Sequence, residues 1–152
     1  MEEERFLAGR KKAMALLLHK DRTRWELCDR LVRAGFEDDV VEDAIAYVES
    51  FHYIDDRRYA VRFAEIYCES RSIKRIRQDL MKRHVPEEYI EDAFEQIQWD
   101  DSGALTKELN KLLKGRELSE DISYEEKQKI AAKLYRKGFQ TDDIIRELDH
   151  LK

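Results

Sequence analysis

The stretch Trp25-Glu26-Leu27-Cys28-Asp29-Arg30-Leu31-Val32-Arg33-Ala34-Gly35-Phe36 spaces its apolar residues three and four apart, then ends in a glycine and an aromatic. That pattern predicts a short amphipathic helix stopped by a left-handed residue. An acidic, apolar stretch from Glu37 to Val48 follows it. Moving 49 residues along the chain puts Ile76, Leu80, Val85, Ile90, Phe94 and Ile97 on Leu27, Leu31, Phe36, Val41, Ile45 and Val48. A further 54 residues brings Ile130, Leu134, Phe139, Ile144, Leu148 and Leu151 to the same six places. Repeats at such a period imply modules stacked in tandem, with function on a long surface and not in one deep pocket.

Each module reads as three helices, the first set at about Phe6 to His19, Arg24 to Ala34 and Asp38 to Ser50. Thr23 with Glu26, and Ser123 with Glu126, have capping-box spacing at the start of a middle helix. Gly35 and Gly138 stand where the middle helix must stop, with Phe36 and Phe139 folding back behind them. In the second copy His84 takes the glycine place, Val85 the phenylalanine place, and Pro86 can open the next helix. The expected fold is all-α: three-helix bundles over residues 1–54, 55–98 and 99–152, joined into an elongated, curved array. The joints fall near Phe51–Asp56 and Gln98–Gly103, and a looser polar connection runs from Gly115 to Ser123.

Composition agrees with an exposed helical protein: charged residues make up 41%, and one proline leaves little punctuation for a sheet. No apolar run approaches the roughly 18–20 residues that cross a bilayer. The glutamates after Met1 have the wrong sign for a secretory signal, so a cytoplasmic protein with no membrane partner is expected. Cys28 and Cys68 lack CxxC partners and read as reduced thiols near the core.

The net charge of −5 argues weakly against nucleic acid, but the distribution is uneven. Middle helices are basic, as in Arg24, Arg30 and Arg33 or Lys127, Lys129, Lys133, Arg136 and Lys137. Third helices are acidic, and in the first two copies they contain no lysine or arginine. Acids such as Asp38-Asp39, Glu87-Glu88 and Asp142-Asp143 also suit the first turn of a helix. The densest cation region holds Arg57, Arg58, Arg62, Arg71, Lys74, Arg75, Arg77, Lys82 and Arg83. It would attract phosphates or an acidic protein surface.

Helix-turn-helix readout is disfavoured, because the third helix would carry its carboxylates into the major groove. His19, His52, His84 and His150 have no zinc spacing, and neither a phosphate-cradling glycine loop nor a nucleophile elbow occurs. No enzyme, cofactor or metal is expected. Asp55-Asp56 and Asp100-Asp101 could hold a divalent ion, but capping explains them better. Trp25 and Trp99 could stack on a base, with burial the favoured alternative.

Thr23-Arg24-Trp25-Glu26-Leu27 with Gly35-Phe36 resembles the Ser-Arg-x-Glu-Leu…Gly-Phe signature of the RecX family. Phe51-His52-Tyr53-Ile54-Asp55-Asp56-Arg57-Arg58-Tyr59-Ala60 resembles that family's Gly-Tyr-Leu-Asp-Asp-x-Arg-Phe-Ala segment. Arg75-Ile76-Arg77-Gln78-Asp79-Leu80 and Arg136-Lys137-Gly138-Phe139 fit its second and third repeats. Three family glycines are missing, at His52, around Ser72-Ile73 and at His84. The resemblance implies a monomeric, non-catalytic regulator of the RecA recombinase filament on DNA. It would restrain ATP hydrolysis, coprotease activity and strand exchange, while touching single- or double-stranded DNA through phosphates. The contact surface is then expected at Arg57, Arg58, Arg71, Lys74, Arg75 and Arg77, helped by Arg22 and Arg24. Reversing Arg75 and Arg77 to glutamate should weaken inhibition without changing helicity. The alternative is a stand-alone DNA-binding module whose basic middle helices meet the backbone.

Overall fold

The computed structural model describes residues 2–97, 100–116 and 122–149. Among these residues nine helices and no strand occur. They are α1 (Glu2–His19), α2 (Arg24–Arg33), α3 (Asp38–Ser50), α4 (Asp56–Tyr67), α5 (Ile73–Lys82), α6 (Glu87–Ile97), α7 (Ser102–Leu113), α8 (Tyr124–Arg136) and α9 (Thr141–Asp149). The all-α reading of the sequence is therefore what the described residues adopt. Trp99, His150 and Leu151, each given a place in that reading, lie outside the described residues, as does part of the Gly115–Ser123 connection.

The middle helices end as their sequences dictate. Phe36 N donates to Leu31 O and Gly35 N to Val32 O, with Gly35 at φ +96°. The same two bonds recur at Val85 and His84, and again at Phe139 and Gly138. This is the closing motif of a helix whose last carbonyls are taken by a left-handed residue and its successor. His84 and His52 both hold φ +58°, so these two histidines enter the left-handed region that glycine ordinarily fills. The substitution keeps the turn and leaves a ring on it: the His84 ring stacks on Trp25 at 4.1 Å. Trp25 is 43% exposed, so the burial expected for it is not found. One face of its indole is covered by histidine, and the residue stays partly open to solvent.

The chain packs as two compact units, Met1–Arg62 with Leu80–Gln96, and Phe63–Asp79 with Ile97–Lys152, so the second repeat gives residues to both. In the first unit, Ala13 and Leu16 of α1 meet Leu27 and Leu31 of α2 and Val41, Ala44, Ile45 and Val48 of α3. A side chain at Gly9 would run into the Val40 side chain, so the glycine allows α1 and α3 to approach closely. In the second unit Leu105, Leu109 and Leu113 of α7 close over Ile130 and Leu134 of α8 and Ile144 and Leu148 of α9. Each such side chain, once fully covered, contributes about 1.5–3 kcal/mol relative to exposure. Cys28 and Cys68 are both free and half-buried.

Candidate partner interface

Each unit contains one joint between consecutive repeats, and the two joints use the same chemistry. In the first, Thr23 caps α2: its Oγ1 accepts from Glu26 N, and Glu26 Oε1 accepts from Thr23 N. The Thr23 hydroxyl then donates to the carbonyl of Arg83, at the end of the next repeat's middle helix, at 2.9 Å. In the second, Ser72 Oγ accepts from Arg75 N and donates to the Lys137 carbonyl at 2.8 Å. Both hydroxyls are buried.

The paired aspartates complete these joints. Asp56 Oδ1 accepts from Arg24 N, the first amide of α2, and Asp101 Oδ2 accepts from Ile73 N, the first amide of α5. Their neighbours cap their own helices, Asp55 through Arg58 N and Asp100 through Ser102 N. Capping was the favoured reading of these acids, but half of them cap a helix in the preceding repeat. Among the described residues no group of three or more His, Cys, Asp or Glu side chains could hold a metal ion. Burial pushes the Asp56 carboxyl up despite the Arg24 amide and charge beside it. The Ser102 hydroxyl and amide hold Asp100 below the usual range. In the third repeat Ser123 accepts from Glu126 N but is exposed, and the Glu126 carboxylate pairs with Arg116.

The cations follow from this frame, and the two units treat them differently. In the first unit, Arg22 is buried with Nε donating to Leu16 O at 3.2 Å, so its charge is not presented to a partner. Arg24 pairs with Glu49 at 2.7 Å, and Arg62 with Asp21 at 3.1 Å. Arg57 lies 4.2 Å over the Tyr89 ring and pairs with Asp92 and Glu88. A recess of about 370 Å³ bordered by Arg24, Glu49, Asp55, Asp56 and Arg57 carries more acid than base. Arg58 is exposed and donates to His52 O, Lys82 is exposed, and Arg83 is half-buried.

In the second unit, Asp79 is 5% exposed and holds two guanidiniums at once. Arg71 Nη1 donates to Asp79 Oδ2 at 2.7 Å, and Arg75 Nε donates to Oδ1 at 3.0 Å. The Arg71 guanidinium also lies 3.7 Å over the Tyr67 ring. Lys74 is exposed, and Arg77 is half-buried. Across a recess of about 300 Å³, Lys137 Nζ donates to Glu108 Oε2 at 2.6 Å. Lys111 stands 3.5 Å from the other Glu108 oxygen.

At least five of the eleven expected contact residues, Arg24, Arg57, Arg62, Arg71 and Arg75, are thus engaged by the chain's own carboxylates. A ribbon of free arginines is not what either unit presents. The pairs of Arg24, Arg57 and Arg62 are open to water, where an ion pair is worth only about 0–1 kcal/mol, so they can be exchanged for a partner's carboxylate. Arg75→Glu, however, would set a second carboxylate beside buried Asp79, so that reversal tests folding as much as contact. Asp79, Glu108 and Lys137 were missed as site residues. The i, i+4 spacing of Arg75 and Asp79 was the one readable signal for them.

Burial pushes the Glu108 carboxyl up, but the hydrogen bond and charge of Lys137, then Lys111, outweigh it and leave it below the usual range. A carboxyl held lower in the folded chain contributes stability above its unfolded pKa and loses it as pH falls through the folded one. Urea unfolding should therefore show wild type losing more stability than Glu108→Gln between about pH 6 and about pH 3, on either side of the ordinary glutamate value. Equal losses would mean that this pairing does not hold in solution.

Known proteins resemble this chain in sequence and in fold. The sequence profiles of the first, second and third three-helix domains of RecX match residues 10–47, 55–93 and 104–148. The chain is 31% identical over 138 residues to the "Regulatory protein RecX" of Caldanaerobacter subterraneus subsp. tengcongensis, covering 90% of this chain and 67% of that protein. It is 29% identical to that of Vibrio parahaemolyticus, over 91% of this chain and 88% of that protein. The crystal structure of RecX from Lactobacillus salivarius superposes with a TM-score of 0.77 at 26% identity, over 97% of this chain and 99% of that one. No helix among the described residues is long and apolar enough to cross a membrane. With all three domain profiles matched in order over most of its length, the chain belongs to the RecX family.

Proposed function

We propose that this protein binds the RecA recombinase filament on DNA and restrains its ATPase, coprotease and strand-exchange activities without catalysis of its own. The observation that carries this reading is the match to all three RecX domains in a chain whose relatives are named regulatory proteins. Surface cations held on exchangeable pairs support it, since a filament offers many weak contacts that add by multivalency.

Recombinase ATPase on single-stranded DNA, with this protein titrated in, is the direct test. The rate should fall with added protein; a rate unchanged at saturating protein overturns the proposal. Lys74→Glu and Lys82→Glu, each at an exposed cation, should raise the half-inhibitory concentration roughly threefold, the scale of a rim charge. Titration of single strands alone at two salt concentrations checks the stand-alone alternative. Tight binding with a steep salt slope and no recombinase would favour that alternative.

A further inference from the structure

The geometry of the second unit points to a receptor for one acidic side chain of a protein partner, in the recess between Arg71, Arg75 and Lys137. The inference rests on the regulatory reading above and names the chemistry of its contact. Three cations and two largely buried carboxylates meet there, Asp79 behind the arginines and Glu108 beneath the lysine, and with Lys111 3.5 Å from the second Glu108 oxygen the cations outnumber the carboxylates. Each cation is already oriented by one of those carboxylates. Arg71 donates through Nη1 alone and Arg75 through Nε alone, so Nε and Nη2 of Arg71 and both terminal nitrogens of Arg75 have no acceptor among the described residues. Tyr67 fixes the plane of the Arg71 fork from one side. Guanidinium forks held this way match a carboxylate, and little rotamer freedom remains to be lost on binding.

Size and lining select the occupant. The recess is about 300 Å³ and takes a group of a few atoms. Phe139 lines it, offering apolar contact to the methylene stem of an aspartate or glutamate. A nucleic-acid backbone would need a row of cations along its path, whereas Glu108 stands in this wall.

The test follows the arginine Nε–H signals of the full chain by ¹⁵N-edited NMR while adding a short glutamate-rich peptide, single-stranded oligothymidylate or inorganic phosphate. The peptide should move the Arg71 and Arg75 signals and leave those of Arg33 and Arg146 in place. Arg71→Lys, which keeps the charge on Asp79 but loses the fork, should weaken the peptide about tenfold. Lys137→Gln should weaken it as well, with helical circular dichroism unchanged in either variant. An absent response, or an equal response at Arg146, overturns the inference. So does oligothymidylate or phosphate acting at lower concentration than the peptide. Full ATPase suppression by Arg71→Lys would reject the pocket and spare the regulatory reading. A peptide response without any ATPase suppression would do the reverse.

Discussion

Gly138→Ala is expected to destabilise the second unit by about 2–5 kcal/mol. At φ +101° a Cβ is strained in itself, by about 1–2 kcal/mol. That Cβ would also stand 2.5 Å from Ser72 Oγ and 3.3 Å from Lys74 Cβ. Crowding on this scale adds about 1–3 kcal/mol, because Ser72 is buried and engaged in two bonds. Gly35→Ala supplies the control. It has nearly the same backbone angle, +96°, but nothing lies within 4 Å of its added Cβ. Only the strain should then appear, about 1–2 kcal/mol. Urea unfolding followed by helical circular dichroism reads both. Equal losses would show that the α8–α9 turn does not press on the start of α5.

Ser72→Ala should cost about 2 kcal/mol and Ser123→Ala about 1 kcal/mol. Both lose an N-cap, worth roughly 1 kcal/mol. Only Ser72 also loses a bond to the next repeat, through the Lys137 carbonyl, which adds about 1 kcal/mol. Thr23→Ala should behave like Ser72→Ala, since its hydroxyl serves the Arg83 carbonyl in the same way. Amide hydrogen exchange gives the sharper reading. Ser72→Ala should open the first turn of α5 and the last turn of α8 together, while Ser123→Ala should loosen α8 at its start alone. If all three serines and threonines behaved alike, the joints would be packing contacts with an incidental hydrogen bond.

What could be read beforehand follows the range of each interaction. The helices, their glycine stops and the Thr23–Glu26 box are local, so a few neighbouring residues declare them. The α1 and α3 boundaries near His19 and Ser50 are set the same way. The second bond of Thr23 reaches 60 residues along the chain to a backbone carbonyl, and a carbonyl has no side-chain signature. Asp56 and Asp101 looked like caps and are caps, but their helices lie in the preceding repeat. Arg22 sits in a polar stretch that reads as surface, and only the packing of its neighbours turns it inward to Leu16. Arg71 and Arg75 read as free cations because Asp79, eight and four residues on, is one acid among many bases. Convergence of both on that acid depends on where the α4–α5 turn sends Arg71.

Both joints use main-chain carbonyls and amides, one hydroxyl and one carboxylate, to which the first adds the Trp25–His84 stack and the Arg62–Asp21 pair. Recognition between modules is therefore nearly independent of what the remaining surface carries. Chimaeras that exchange other surface residues between repeats, while leaving Thr23, Ser72, Asp56, Asp101, the Trp25–His84 stack and the Arg62–Asp21 pair in place, should still assemble. The scaffold can thus be re-addressed to a different binding companion without redesigning its own architecture.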